Sequence, residues 1–226
     1  MSSPLRVLSW NVRHLLGDPL AVHRVLRAAA PDLVCLQEAP RWPWSSWPLT
    51  SLARASDLIY LAGGYGGGGN ALLRSPRLWA DDGLALRFPL AHRRAQRRGA
   101  VLATVGRPQG PRLAVASVHL GLDAAERLDH ARALVERLSG TGLPVLVGAD
   151  LNEPPGGPAW RVFAAVAADP DPGAPVTFPA RRPRRRIDAI LTGPGIETLE
   201  YGQWQPDRRD AELASDHLPV LSVIRL

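Results

Sequence analysis

Short apolar runs that each end in a polar side chain are the feature that most constrains the fold of this chain. Runs of this length, rich in Val, Leu and Ala, are typical of buried β-strands. The predicted strands lie at 5–12, 32–37, 70–74, 83–88, 99–105, 112–119, 144–148, 187–191 and 217–224. Because strands outnumber helices and often follow one another directly, the pattern predicts an α+β fold in layers and not a doubly wound parallel sheet.

The segments between these runs predict two amphipathic helices and two long loops. Residues 19–29 and 122–138 place apolar side chains at helical spacing. A Trp- and Pro-rich segment, 41–48, and a glycine run, 63–69, are predicted as loops. The glycine run lacks the Gly-Lys-Ser/Thr ending of a phosphate-binding P-loop, so it predicts a turn only. No linker interrupts the pattern, and we expect one domain over residues 1–226 of the 226-residue chain.

Charge and cysteine content narrow the cellular setting. The formal net charge is +6, and every basic residue is Arg, which reflects either a GC-rich genome or a need for guanidinium groups that bind phosphate oxygens. The single Cys35 rules out an intrachain disulfide and lies in an apolar run, so we expect it to be buried. The N-terminus resembles no secretory signal, and no apolar run approaches the ~18 residues of a membrane span. We therefore expect a soluble, cytoplasmic monomer without a transmembrane segment.

Polar residues at the ends of the predicted strands carry the chemistry. Strand ends lie at the rim of a sheet, where a cleft can form, and these residues are of types that bind hard cations and move protons. They are Asn11, Glu38, His119, Asp150, Asn152, Asp188, Asp216 and His217. One of them alone would indicate turn chemistry or a solvated strand end, but their repetition at successive strand ends predicts one shared site.

Phosphate ester hydrolysis requires these residue types. Charge on the phosphate oxygens must be neutralised and a water must be placed in line with the scissile bond. Magnesium takes oxygen ligands and keeps several waters, so Glu38 and Asp216 suffice as carboxylates. Asp150 can take the proton of the water, and His119 and His217 can donate hydrogen bonds to the phosphate or carry positive charge there.

Asp188 has two interpretations. As a buried carboxylate it can hold one imidazole in orientation, as the acid of a catalytic triad does. Alternatively, it forms a structural ion pair with its neighbour Arg186.

The ordered set of motifs resembles the endonuclease/exonuclease/phosphatase superfamily, which includes deoxyribonuclease I-like and exonuclease III-like enzymes. Each motif is short, but the set keeps the family's order from the first strand to the last. The motifs are Ser9–Val12 (SWNV), Leu36–Glu38 (LQE), Ser117–Leu120 (SVHL), Val147–Asn152 (VGADLN), Arg186–Asp188 (RID) and Ser215–Val220 (SDHLPV). The resemblance implies a metal-dependent phosphoric ester hydrolase that uses magnesium, or manganese in its place. It also implies a four-layered α/β sandwich with two central, mostly antiparallel sheets flanked by helices.

The resemblance assigns a role to each strand-end residue. Asn11 and Glu38 are similar to the family's metal-site pair, with Glu38 as the direct ligand, and Asp216 is similar to the second metal-side carboxylate. The remaining implied roles are these: Asp150 activates water, Asn152 binds phosphate, His119 and His217 face the phosphate, and Asp188 orients His217. Asn70 matches a family Gly-Asn strand start and either contacts phosphate or caps the turn. Ala149 moves the family's glycine one place earlier, a departure that we do not expect to disable Asp150.

The substrate is less constrained, because fold and catalytic set do not choose among phosphate esters. Two arginine clusters, 92–98 and 181–186, favour a polyanion. The second runs into Asp188, so Arg182, Arg184 and Arg185 are candidate substrate-binding residues, with a solvated basic loop as the alternative. Cleavage of DNA or RNA is the preferred function, and a lipid headgroup or small phosphate ester is the alternative substrate.

Two further alternatives concern catalysis and the Trp-rich segment. A non-catalytic nucleic-acid-binding module on this fold would have lost some of Glu38, Asp150, Asp216 or His217, and this chain keeps all four.

The tryptophans of 42–47 could stack on bases, face a membrane or pack in the core, and core packing is the prediction.

Overall fold

The computed structural model describes residues 3–89 and 96–226. The strands are β1 (Leu5–Asn11), β2 (Leu33–Gln37), β3 (Ile59–Gly64), β4 (Asn70–Arg74), β5 (Trp79–Ala80), β6 (Leu84–Arg87), β7 (Gly99–Gly106), β8 (Arg112–His119), β9 (Val145–Asp150), β10 (Asp188–Thr192), β11 (Glu197–Tyr201) and β12 (Val220–Arg225). The helices are α1 (Pro19–Ala29), α2 (Ser46–Ala55), α3 (Ala124–Ser139), α4 (Pro158–Phe163) and α5 (Arg208–Ala214). None of the helices in these described ranges is long and apolar enough to cross a bilayer.

The strands form two sheets of six strands each. The first has the order β11-β12-β1-β2-β4-β3, and the second has the order β10-β9-β8-β7-β5, with β6 also paired to β7. Most neighbours are antiparallel, but β1 with β2 and β8 with β9 are parallel. Parallel neighbours need a crossover connection. α1 and α3 provide these two connections.

The sheets and helices make four layers. Side chains alternate across each strand, so Leu8 and Trp10 of β1 pack outward with α1 and α2, while Val7 packs inward. Cys35 is also in the inner layer, where the first sheet meets the second, and burial raises the pKa of its thiol to about 12. α3 and α4 cover the outer face of the second sheet. The predicted α+β sandwich is therefore confirmed.

The strand register brings the polar strand ends to one edge of the sandwich. Asn11 ends β1 beside Gln37 of β2, and His119 ends β8 opposite Asp150 of β9. Asp188 begins β10 opposite the same Asp150, because β9 and β10 are antiparallel. The inner layer therefore ends in polar side chains on one side of the molecule.

Some predicted boundaries are wrong. The last strand begins at Val220 and not at His217, because the segment before it pairs with residues 177–180: Leu218 N–H donates to Thr177 O, and Ala180 N–H donates to Asp216 O. Pro219, between this segment and the strand, has no N–H for a ladder. The end of the segment predicted as a Trp-rich loop is helical, since α2 begins at Ser46.

Candidate active site

Asp150 lies at the centre of a buried polar cluster that joins the two sheets. Its Oδ2 accepts from Asn11 Nδ2 at 3.0 Å, a contact from one sheet to the other. Its Oδ1 accepts the backbone N–H of Asn152 at 3.1 Å. Nε2 of His119 lies 3.2 Å from Asp150 Oδ2, and Nε2 of His217 lies 3.9 Å from the same oxygen. One carboxylate therefore contacts residues from three other motifs as well as from its own.

His119 is held as a neutral imidazole. Its Nδ1 lies 2.8 Å from Nη1 of Arg98, and its Nε2 lies 2.8 Å from Nδ2 of Asn152. The Arg98 guanidinium can only donate, so Nδ1 accepts and the ring carries at most one proton, on Nε2. Burial lowers the pKa of His119 well below its ordinary value, and the positive charge of Arg98 lowers it further.

His217 has the opposite electrostatic environment. Its Nδ1 lies 3.1 and 3.0 Å from the two carboxylate oxygens of Asp188. Thr177 Oγ1 donates to Asp188 Oδ2 at 2.5 Å, and the Phe178 ring packs against the imidazole with centroids 4.6 Å apart. Burial alone would lower the pKa of His217, but Asp188 and then Asp150 outweigh it and raise the pKa to about 9. At neutral pH the two histidines of the site therefore differ in charge.

The pKa of Asp150 is raised to about 7, first by burial and then by the nearby charge of Asp188. A carboxylate with a pKa near neutrality can accept a proton from water and later release it, which is the property of a general base. Asp150, Asp188 and His217 also lie closely enough together that they could hold a metal ion. However, Nδ1 of His217 and both oxygens of Asp188 are already engaged in hydrogen bonds, so these two groups are better suited to proton and charge chemistry.

Glu38 offers a better arrangement for a hard cation. Its side chain is one-quarter exposed, and its oxygens lie 3.5 Å from His14 Nε2, 3.7 Å from His119 Nδ1 and 4.0 Å from Arg98 Nη1. These distances exceed those of well-formed hydrogen bonds, so the carboxylate retains lone pairs for a ligand. Asn11, whose Oδ1 accepts the Arg13 N–H at 3.0 Å, is tied to the same edge.

The backbone around Glu38 is strained. Glu38 has a φ of 45°, and Arg13, His14 and Leu15 have φ values of 46°, 57° and 58°. Left-handed conformations cost energy in residues with a Cβ and persist where the surroundings enforce them, often at functional sites. Here the His14 N–H donates to Glu38 O at 2.5 Å, which joins the two strained segments.

Asp216 lies next to His217 but on its open side. Its charge contributes to the raised pKa of His217. Within the residues that the structure describes, its carboxylate makes no hydrogen bond or ion pair. It lines an open cavity of about 780 Å³ together with Arg13, Arg182 and Arg184. The cavity therefore joins one candidate metal ligand to two of the three candidate substrate-binding arginines.

The arginine segment is attached to the His217–Asp188 pair. Residues 177–185 form a hairpin-like turn closed by a bridge between Phe178 and Arg185, with Arg185 exposed. The base of this turn carries Thr177, which contacts Asp188, and Phe178, which contacts His217. The other arginine cluster, 92–98, lies partly outside the described residues, which resume at Gln96.

Asp188 is not paired with Arg186. Both Nη atoms of Arg186 donate to the Asp169 carboxylate, each at 2.8 Å, and the Asp188 carboxylate contacts His217 and Thr177. The geometry therefore supports the triad-like interpretation of Asp188 over the structural ion pair.

Asn70 lies near the site, but its side-chain amide faces backbone carbonyls. Its Nδ2 donates to Gly67 O at 2.9 Å and Gly99 O at 2.8 Å, and its side chain is fully buried. Both amide hydrogens are used by backbone carbonyls, so none remains for a phosphate oxygen. This geometry favours turn capping over phosphate contact.

The glycine run has a packing role that a simple turn would not require. A Cβ on Gly68, which has a φ of 62°, would lie 2.6 Å from the Arg98 carbonyl carbon and the Gly99 N. Only glycine permits both this conformation and this close approach. The run therefore packs against the peptide that joins Arg98 to the first residue of β7, Gly99.

The displaced glycine of the VGADLN motif also has a steric reason. A Cβ on Gly148 would lie 2.4 Å from Cβ of Cys35 in the other sheet. Ala149 faces the opposite way, into the core beneath α3 and α4. The alanine therefore leaves the orientation of Asp150 toward the inner layer unchanged.

The Trp-rich segment does not pack in the core. Trp44 is 70% exposed and Trp47 is 80% exposed, and Trp42 is also exposed. The core-packing prediction is wrong, because the segment turns its small Ser45 inward and its indoles outward.

Sequence reasoning missed several residues of the site. Arg98 lies in the first arginine cluster, whose sequence indicates only positive charge, and its burial could not be inferred without the position of the glycine run. Thr177 belongs to no motif. Gln37 lies beside Glu38 and places its Nε2 within 3.3 Å of Ser9 Oγ and Ser117 Oγ from opposite sheets.

A larger open cavity, of about 930 Å³, lies between α3 and the β6–β7 edge, with Leu84, Thr104 and Glu136 in its lining. None of the strand-end polar residues lines it, so this larger cavity is separate from the strand-end cluster.

Comparison with known proteins identifies the family of the chain. Residues 8–217 match the model of the Endonuclease/Exonuclease/phosphatase family. None of the curated proteins compared is significantly similar in sequence.

Among solved structures, an endonuclease/exonuclease/phosphatase from Bacteroides vulgatus is similar with a TM-score of 0.80 and 17% identity, over 100% of both chains. The mannosyl-6-phosphatase of Bacteroides thetaiotaomicron VPI-5482 is similar with a TM-score of 0.79 and 18% identity, over 98% of this chain and 100% of that one. D. rerio TDP2 complexed with single strand DNA product is similar with a TM-score of 0.74 and 19% identity, over 100% of both chains. These likenesses show a shared fold, and the family match covers nearly the whole chain. The protein is therefore a member of the endonuclease/exonuclease/phosphatase family and a phosphoric ester hydrolase.

Proposed function

We propose that this protein is a divalent-metal-dependent phosphodiesterase that cleaves nucleic acid. The observation that carries the proposal is the buried Asp150 carboxylate, set between Asn11, neutral His119 and the His217–Asp188 pair. A base with a pKa near 7 next to an imidazolium suits attack by water on a phosphorus atom.

Glu38, Asn11 and Asp216 would hold the cation, because they offer oxygen donors and the two carboxylates are only loosely engaged. A hard cation supplies charge neutralisation for the phosphate oxygens. Magnesium suits this donor set, and manganese can replace it. The set contains neither a thiolate nor a cluster of histidines of the kind that zinc prefers.

The chain's own residues divide the remaining work. Asp150 takes a proton from the water as the water oxygen bonds to phosphorus and the ester P–O bond breaks, with its electron pair leaving on the ester oxygen. His217, oriented by Asp188 through Nδ1, directs its Nε2–H to a phosphate oxygen. Asn152 and His119 fix the position of Asp150.

Metal removal tests the core of this proposal. We expect cleavage of single-stranded DNA or RNA in magnesium or manganese and complete loss in excess chelator, restored by added magnesium, because the proposed ligands are oxygens. The measurement is cleavage of an end-labelled oligonucleotide, run beside plasmid DNA, inositol phosphates and a bis-aryl phosphodiester. Undiminished activity in chelator would contradict the metal requirement.

The same panel tests the substrate class. A lipid headgroup or small phosphate ester remains the alternative, because the open arginine-lined cavity beside Asp216 would also accept a compact anion. Turnover of inositol phosphates without cleavage of any polynucleotide would favour that alternative. The absence of turnover on every substrate would contradict the proposed enzyme.

The arginine turn provides a second prediction. Changing Arg182, Arg184 and Arg185 to Ser is expected to raise the KM for a polynucleotide and to flatten its salt dependence. For a single strand, each lost phosphate contact reduces the slope of log affinity against log salt by about 0.7. The measurement is the KM between low and physiological salt, with hydrolysis of the bis-aryl phosphodiester expected to change little.

A charge-matched control separates this effect from net charge. Arg54, Arg77 and Arg132 are exposed on α2, a turn and α3, and their change to Ser removes the same charge away from the cavity. If both triple variants behave alike, the arginine turn acts only through net charge. If neither variant differs from the unchanged protein, the turn has no part in substrate binding.

A further inference from the structure

Four exposed aromatic side chains lie on the two segments next to Glu38, the Trp-rich segment and the glycine run. They are Trp42, Trp44, Trp47 and Tyr65, which we call the aromatic rim. Burying an indole usually stabilises the fold. Three exposed tryptophans within six residues do not contribute this stabilisation. Large exposed apolar groups of this kind mark interaction surfaces.

Hydrogen bonds of the local backbone hold the indoles of the Trp-rich segment in exposed positions. Between the indoles, Ser45 is buried, and its Oγ accepts the Tyr65 N–H at 2.9 Å, which joins the Trp-rich segment to the glycine run. The Ser45 N–H donates to Trp42 O at 2.9 Å, and the Trp47 N–H donates to Trp44 O at 3.2 Å. The backbone is therefore ordered, and the indoles are presented outward at little entropic cost to a ligand.

The two segments that carry the rim meet directly after Glu38. The Ala39 N–H donates to Gly69 O at 2.7 Å, directly after Glu38. A Cβ on Gly69 would lie 3.6 Å from Cδ of Arg41 and 3.9 Å from Cα of Glu38. Arg41 also lowers the pKa of His119 through its charge, which places it within electrostatic reach of the buried cluster.

Arginines accompany the aromatic side chains. Arg41 immediately precedes Trp42. The Arg87 guanidinium lies 3.9 Å from the Tyr65 ring centroid and donates to Tyr65 O at 3.1 and 2.9 Å. Aromatic faces that alternate with cations match a chain of bases joined by phosphates. A membrane-facing edge would also be expected to carry aliphatic side chains, and residues 41–48 contain no Leu, Ile, Val, Phe or Met.

We propose that the aromatic rim is a base-stacking surface that holds the unpaired bases of a single-stranded polynucleotide while a neighbouring phosphate lies at Asp150. The inference rests on the proposed function and specifies its substrate as a single strand. Bases in a duplex are already stacked on one another, so their faces are not available to the indoles, and a duplex should bind more weakly than a single strand of equal length.

The test measures binding and therefore does not depend on turnover. Trp44→Ala, Trp47→Ala and the double variant are made in an Asp150→Asn background with magnesium present. Fluorescence anisotropy then compares a single-stranded thymidylate of about a dozen residues with an abasic strand of equal length and charge. Each Trp change should weaken binding of the thymidylate about tenfold, within the range expected for one lost base stack. Binding of the abasic strand should hardly change.

Trp79→Ala provides the matched control. Trp79 is exposed to the same extent as Trp42, but it lies on β5 at the edge of the other sheet, under Arg112. Its loss should leave binding of both strands unchanged.

Three outcomes would overturn the inference. One is equal binding of thymidylate by the rim variants and the Asp150→Asn parent. Another is equal loss of affinity for the thymidylate and abasic strands. The third is loss of binding to phosphatidylserine-containing vesicles with oligonucleotide binding intact, which would assign the surface to membranes. Failure of the proposed function looks different, because the unsubstituted enzyme would then cleave no polynucleotide, whatever the rim variants bind.

Discussion

Asp150→Asn is expected to lower kcat by about a thousandfold or more with little change in the fold. Loss of a general base typically costs about a hundredfold to ten-thousandfold. Asp150 is also the group on which Asn11, Asn152 and His119 converge. Its two oxygens each accept an N–H, so an amide must turn its NH₂ toward one of those donors. The measurement is kcat on a single-stranded oligonucleotide, with circular dichroism and Tm as checks on folding.

Asp82→Asn is the matched control for this change. Asp82 is exposed and follows β5, away from the strand-end cluster, and its loss removes the same charge. It should leave kcat unchanged. If Asp150→Asn kept a rate within about tenfold of the unsubstituted enzyme, another group would have to take the proton of the water.

His217→Ala is expected to lower kcat by at least about a hundredfold. The loss follows from removing one donor directed at the charge that develops on the phosphate, worth about 3 kcal/mol. Asp188→Asn should cause a smaller loss, because the imidazole stays in place through Phe178 and its backbone contacts while its orientation and positive charge weaken. The measurement is kcat for both variants at saturating substrate.

His23→Ala serves as the control for deletion of a histidine. His23 lies on α1, where its Nδ1 is 3.3 Å from Ser56 Oγ, and it makes no contact with the strand-end cluster within the described ranges. Its loss should leave kcat unchanged. An Asp188→Asn variant slower than His217→Ala would show that Asp188 does more than orient the imidazole.

Much of the fold could be predicted from the local pattern. The helix predicted at 19–29 from its apolar spacing has those bounds in the structure, where Asp18 caps it and Pro19 begins it. The α+β class followed from consecutive strands, and membership of the family followed from six short motifs in order; both are confirmed. Helices α4 and α5 were missed, because each is too short to show a clear helical period.

The strand-end residues could be chosen from the sequence because the chemical type of each residue is given by the sequence itself. Their mutual geometry could not, because it depends on how two sheets stack and on the register of each strand pair. The contact between Asn11 and Asp150 joins residues 139 positions apart. The charge difference between His119 and His217 likewise follows from burial beside Arg98 in one case and from the Asp188 carboxylate in the other, and not from the residue type.

The sequence by itself determined which groups are available: the strand pattern, the ordered motifs, the carboxylates and histidines, and an arginine-rich surface. Only the tertiary structure decided what each group faces. It turned Asn70 toward backbone carbonyls, paired Arg186 with Asp169 and exposed Trp44 and Trp47 to solvent. The physical reason is that burial and pairing are properties of the packed layers. A side chain's partner is set by the strand or loop that the fold brings against it, and local residue preferences do not specify that strand or loop.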